Sequence, residues 1–309
     1  MRQKHYSSII ILLIFIISLT ACSSNPSTGG TTSVSATPAE TSSGPTAHNE
    51  TIIKTTPTYA GVYSSSGSPE LDLFYEHVQV SSPAAQEELQ QLIDEKLNQP
   101  AEQETDYLRE EFLKAGTKSY YEQVVLDSRA DEQVVSLLVR TTTYGQGAAH
   151  SNYSYQTLTM SAQTGKPLTL SDLGVDESKA RELLSGLMDA YNGQENVTHF
   201  DASDDDLTRL LDTCFLDDNM VVFASSPYQL GQPYSAGAFR FCVPYDQLGV
   251  AEQYRPEHTI SEACIQDMYG ARFYADGTCD EGAGSSIENL NEKHGIVLDY
   301  ELTGTVRSE

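Results

Sequence analysis

Few residues in this chain are spaced for bond-making chemistry. Its seven histidines are scattered so that no two fall within one helical turn, the spacing a helical zinc-protease motif needs. No GxSxG, SxxK or HExxH string occurs, so neither an activated serine nor a two-histidine zinc site has support. Asp201, Ser203, Asp205 and Asp212 fall at some calcium-loop offsets. Asp206, however, stands where such a loop needs its turn glycine, and Leu207 and Leu210 are apolar. Acids in the first turn of a helix capped by Ser203 account for the cluster, because they complement the helix dipole. No catalytic residue, metal or cofactor is therefore expected.

Cysteine offers a second chemistry. Leu19-Thr20-Ala21-Cys22 ends the apolar run Ile9 to Leu19, which Arg2, Lys4 and His5 precede. The run is too short for an ordinary membrane span, and small residues before a cysteine form a bacterial lipobox. The expectation is a leader over residues 1–21, cleaved so that Cys22 carries lipid on the outer face of the bacterial cytoplasmic membrane, facing the cell wall. More than one acyl chain there gives durable anchoring. An ordinary signal peptide or a short uncleaved anchor is the alternative. The remaining cysteines, Cys214, Cys242, Cys264 and Cys279, are even in number, as disulfides in an exported chain require. The short loop Cys264–Cys279 is the preferred pairing, worth about 3 kcal/mol on a chain-entropy argument, with Cys214–Cys242 as its complement. Free buried thiols are the alternative.

Recognition chemistry is better represented. The chain holds 18 tyrosines and no tryptophan, and tyrosine supplies stiff contact area with a polar tip. Tyr144 and Tyr153 flank the glycine-bearing stretch Tyr144-Gly145-Gln146-Gly147-Ala148-Ala149-His150 and are the exposed candidates, whereas Tyr228 and Tyr245 are expected to be structural. His150 is a ligand or proton donor on a functional reading and a loop-bonding histidine on a structural one.

Elements that would position these residues can be read from periodicity. Leu71 to Val80 mixes β-branched and aromatic residues with polar ones, as a half-buried strand does. Ser82 and Pro83 resemble a helix cap and first position, and Leu89, Leu92, Ile93 and Leu97 recur at helical spacing up to Pro100. A second helical piece reaches about Lys118. Residues 120–128, 133–143 and 152–161 read as an antiparallel meander. Residues 176–191 and those after Ser203 are helical in pattern, and 220–224 and 238–243 are short strands. Residues 260–268 suit a helix. Ser285 and Glu288 suit a capping box, with a last strand over 296–303.

Eighteen Lys and Arg oppose 44 Asp and Glu, a formal net charge of −26. Loss of Arg2 and Lys4 with the leader makes the mature chain about two charges more negative. Such a field repels nucleic acid and attracts cationic partners. Ser23 to about Pro57 is Ser, Thr, Gly and Pro with scarcely a large apolar residue. A tether of that composition, taken as residues 22–56, spans about 30–35 Å.

The stretch Arg140 to Val175, the segment Ser226-Pro227-Tyr228-Gln229-Leu230, and Tyr234-Ser235-Ala236-Gly237 followed by Phe239 to Leu248 together carry a resemblance. They resemble the family of extracellular domains of unknown function found in the anti-sigma factor RsiV and beside the deacetylase domain of PdaC. Members tend to have Gly-Gly-Ala-His where this chain has Gly147-Ala148-Ala149-His150. The resemblance covers roughly residues 55–250 and implies an α+β fold outside the cell. It also implies lysozyme, a basic protein, as a candidate ligand. Nothing here matches the metal-binding deacetylase domain, and the lipobox stands in place of the sigma-binding segment.

The resulting expectation is an α+β fold: a mainly antiparallel sheet with packed helices, in two intimately packed halves meeting near Gly174. The main domain would span 57–250, with an extension over 251–309 packed on it. It would be a non-catalytic lipoprotein that captures or senses a cationic wall-active protein. A cell-wall glycan-binding module is the alternative, with a peptidoglycan-modifying enzyme behind it.

Overall fold

The computed structural model describes residues 51–67, 69–194, 197–267, 271–280 and the pair Arg307–Ser308. The lipobox at Cys22, the tether as far as residue 50, and the Ser285 capping box and strand expected over 296–303 lie outside the described residues.

Two sheets and four main helices build an α+β fold. The first sheet contains β1 (Ile52–Tyr63), β2 (Pro69–Ser81), β3 (Ser119–Ala130), β4 (Val134–Gly145) and β5 (Asn152–Ser161), in that spatial order, with β12 (Arg307–Ser308) beside β1. The β3–β4–β5 meander is antiparallel as its turn residues imply, but β2 and β3 run parallel. That pairing needs a crossover, and helices α1 (Gln86–Ile93) and α2 (Gln99–Ala115) supply it. A π-helical turn over Asp94–Asn98 joins them. Pro100 has no N–H for the Lys96 carbonyl, which instead accepts from Gln156 Nε2 at 3.4 Å. The helical stretch therefore continues through the proline rather than breaking there. Ala85, not Ser82, occupies the α1 cap position.

β1 begins at Ile52, inside the stretch read as tether, so the folded part starts before residue 57. Its sequence IIKTTPTYAGVY hides a strand because Thr and Pro also fit a linker composition. Gly61 belongs there for space. A Cβ would meet the Tyr59 hydroxyl at 2.3 Å and the Tyr63 ring at 2.9 Å.

The second sheet runs β6 (Cys214–Leu216), β7 (Val221–Ser225), β8 (Phe239–Val243), β9 (Cys264–Asp267), β10 (Arg272–Tyr274), β11 (Cys279–Asp280), each antiparallel to the next. The helix expected over 260–268 is thus a strand. Ile265 repeats the buried face of Phe241 and Phe223 across three strands, and that lateral packing overrides local propensity. Strands β9 to β11, all beyond residue 250, complete this sheet. Helix α3 (Glu177–Asn192) is capped by the Asp176 carboxylate. Helix α4 (Asp204–Leu211) is capped by Ser203, with Asp206 returning the bond in a capping box, so the acidic cluster is a helix start.

The halves meet near Gly174, where Ala251 N–H donates to the Leu173 carbonyl at 2.8 Å. Leu138 of β4 packs among Phe215, Val222, Ala224, Cys242 and Cys264 of the second sheet, all buried. Polar bonds cross the same seam. Thr159 Oγ1 donates to the Cys214 carbonyl at 2.9 Å, and Leu216 N–H donates to Ser136 Oγ at 3.0 Å. Arg129, buried, donates to the Tyr245 hydroxyl at 2.8 Å and the Tyr254 carbonyl at 3.0 Å.

Candidate functional site

At one rim of this seam two stretches far apart in the chain converge: the β4–β5 connection with the start of β5, and the β7–β8 connection. Gly147, at φ 91°, lets the chain leave β4, and Ala148 N–H closes the turn onto the Gly145 carbonyl at 3.0 Å. His150 Nδ1 then lies 2.8 Å from the Ser151 carbonyl. On the opposite side, Gln229 Oε1 accepts from Ser226 N–H at 2.9 Å, while Ser226 Oγ accepts from Tyr155 N–H at 3.0 Å. One serine thus pins the loop to β5. Gly231, at φ 75°, passes so close to Asp201 that a Cβ would meet its carbonyl oxygen at 2.4 Å.

Tyr234 is the centre of the cluster. His150 stacks on it with ring centroids 3.7 Å apart and planes 19° from parallel. Tyr153 meets it edge-on at 5.8 Å, and Tyr228 lies against it at 5.9 Å. The Tyr228 hydroxyl is 3.4 Å from His150 Nε2. Tyr153 also meets Tyr155 edge-on at 6.2 Å. Pairs of this kind add about 0.5–1.5 kcal/mol beyond area burial, which is enough to preorganise a surface.

Tyr228 is the described non-glycine residue with positive φ, at 67°. A bulky side chain there costs about 1–3 kcal/mol, and such outliers cluster at ligand sites. The strained turn directs its ring outward, leaving Tyr228 55% exposed. Tyr228, expected to be structural, is thus exposed, whereas Tyr245 is fully buried. Tyr144 is 37% exposed and Tyr153 half-buried. His150 joins both readings, bonding the loop backbone and standing exposed in the cluster.

The same face of the first sheet continues inward from the rim. Register places Tyr155 opposite Arg140, Arg140 opposite Val124, Thr142 opposite Glu122, and Phe74 opposite Glu122. Arg140 Nη2 donates to Glu122 Oε2 at 2.8 Å, with Thr142 Oγ1 donating to the same oxygen at 3.3 Å. Burial pushes the Asp72 carboxyl up to about 6; the Tyr59 hydroxyl opposes this by hydrogen bonding, and the Glu122 charge adds to it. Burial likewise raises the Tyr59, Tyr120 and Tyr155 hydroxyls. The arrangement can stack rings, donate and accept hydrogen bonds, and meet a cation with carboxylates. Among the described residues no group of three or more His, Cys, Asp or Glu could hold a metal ion.

Cys214, Cys242 and Cys264 are free thiols, and both preferred pairings fail on geometry. β10 lies between β9 and β11, which separates Cys264 from Cys279 by two strand spacings, about 9–10 Å, beyond disulfide reach. Cys214 pairs with Phe223 and shares its face, while Cys242 shares the opposite face with Phe215 and Val222. Cys242 instead stands directly opposite Cys264. Sequence reasoning preferred the short loop, and only the strand order reveals the longer one.

No family model matches the chain, and no curated protein matches it. Similar solved structures come from the DUF3298 family. A member from Bacteroides fragilis aligns with 64% of this chain and 92% of its own, at 16% identity and a TM-score of 0.44. A second, from Pseudomonas aeruginosa, aligns with 67% of this chain and 97% of its own, at 15% identity and a TM-score of 0.42. Tyr234 and Tyr228 join the cluster although neither stands out as a binding candidate in the sequence. A tyrosine in a Ser-Pro-Tyr-Gln turn bounded by glycine was the available signal, because such turns favour left-handed backbone.

Proposed function

We propose that this chain is a lipoprotein, held through Cys22 on the outer face of the bacterial cytoplasmic membrane, that binds a ligand at the Tyr228–Tyr234–His150 rim without transforming it. Convergence of two stretches far apart in the chain on one preorganised aromatic cluster, with a strained and exposed tyrosine at its edge, carries this reading. Rigid aromatic anchors surrounded by polar groups supply most of the affinity at protein interfaces. The formal charge of −26 favours a cationic protein as the partner, and the resemblance to the RsiV ectodomain family makes lysozyme the first to test. A cell-wall glycan is the second reading, favoured by the stacked His150 and Tyr234 rings, whose polar edges suit sugar hydroxyls.

Calorimetry of the full-length chain in detergent decides between them. A cationic protein ligand predicts saturable one-to-one binding that weakens with salt yet persists near 0.15 M, where screening acts over about 8 Å. Heats that vanish by that ionic strength, or equal binding by a charge-matched acidic protein, would refute it. Salt-resistant binding to purified cell wall would support the glycan.

A further inference from the structure

On the far face of the second sheet, away from its helices, Cys242 and Cys264 open onto a cavity of about 420 Å³ also lined by Met220, Ile260, Arg272 and Tyr274. The two cysteines are direct partners on adjacent antiparallel strands. Cross-strand partners have Cα atoms about 4.5–5.5 Å apart, within the range a disulfide spans. We propose that Cys242 and Cys264 form a thiol–disulfide exchange site, oxidised to a cross-strand disulfide by a small disulfide entering this cavity.

Roles follow from the asymmetry of the pair. The neighbouring Cys242 thiol holds the Cys264 pKa low, with the Arg272 guanidinium assisting. Cys242 keeps its proton: its pKa is raised by Cys264 and by burial, and its thiol donates to the Arg240 carbonyl at 3.9 Å. Cys264 is therefore the attacking thiolate. It displaces one thiolate from the incoming disulfide and forms a mixed disulfide at Cys264. Cys242 then loses its proton and attacks the Cys264 sulfur. The Cys242–Cys264 bond forms and the second small thiol leaves, so one disulfide is reduced for each one made. Cys214, buried on the opposite face, and Cys279, exposed two strands away, take no part.

The test equilibrates the full-length chain in detergent with oxidised and reduced glutathione, blocks free thiols under denaturing conditions and maps unreduced peptides. A glutamate-specific protease must supplement trypsin, because the Arg255–Pro256 bond resists trypsin and leaves both cysteines on one fragment. The expected map joins Cys242 to Cys264 and leaves Cys214 and Cys279 blocked. Cys242→Ser should accumulate glutathione on Cys264, whereas Cys264→Ser should leave Cys242 unmodified. The proposal is overturned if both thiols stay free at every glutathione ratio, or if either joins Cys214 or Cys279. An adduct that builds up on Cys242 but never on Cys264 overturns the assigned order of attack.

Discussion

The two halves solve the same packing problem with different chemistry. Behind its second sheet the molecule stacks rings: Phe200 touches Tyr191, Phe239 and Phe241 at centroid distances of 4.9–5.7 Å, with Phe273 against Tyr191. The first sheet packs Val135, Leu137 and Val139 against Leu89 and Ile93 on its helix side, and sets Leu138 against the second sheet on the other. Its other side carries Asp72, Glu122 and Arg140 among tyrosines. One half is held by dispersion and burial, the other partly by charges that must remain paired. The aromatic rim lies where they meet and borrows from both: rings from one style, exposed polar tips from the other.

The largest effect should come from the ring stack. Phe241→Ala removes a fully buried ring and should cost about 3–5 kcal/mol in denaturant unfolding. A loss below about 1 kcal/mol would mean that the second half is not packed as described. Next in size is Arg140→Met, which strands the buried Glu122 carboxylate and should cost about 3 kcal/mol. Adding Glu122→Leu should recover most of that loss. A double variant as unstable as the single one would show that charge pairing is not what holds this face.

A smaller effect concerns pH. The Asp72 carboxyl is raised to about 6 in the fold, so burial of its charge penalises the native state above that value. The penalty is released as pH falls from about 6 towards the unfolded value near 4, and stability should rise over that window. Asp72→Asn should flatten this part of the pH dependence of the melting temperature and raise stability at pH 7 by about 1 kcal/mol, after allowance for solvent screening. An unchanged pH profile would place the burden elsewhere, on Asp127 first, whose carboxyl is also raised to about 6 by burial. The smallest stability change is expected at the rim. Tyr228→Gly relieves a left-handed tyrosine and should be neutral or stabilising by about 1 kcal/mol.

Regular elements were legible in the sequence where a pattern is local. The β3–β4–β5 meander has alternating residues bounded by turns, and α3 and α4 begin at Asp176 and Ser203 as the caps imply. What was illegible depends on partners far along the chain. β9 is a strand because β8 offers it an edge, and β1 is one because β2 does, although both segments are short of strand signals on their own. The cysteine partners could not be read either, since the face a residue takes is fixed by register. Likewise His150 and Tyr153 are visible as candidates from the glycine loop between Tyr144 and His150, but Tyr234 becomes central only when Ser226 pins the β7–β8 connection beside β5.

Recognition at the rim, as proposed, runs through Tyr234. The most direct test compares full-length wild type with Tyr234→Ala in calorimetric titration against lysozyme near 0.15 M salt, after both show the same unfolding midpoint within about 1 kcal/mol. The predicted result is one-to-one binding by the wild type that weakens at least about tenfold in the variant, the loss expected for a buried aromatic anchor. Wild-type binding that the substitution leaves unchanged would contradict the claim.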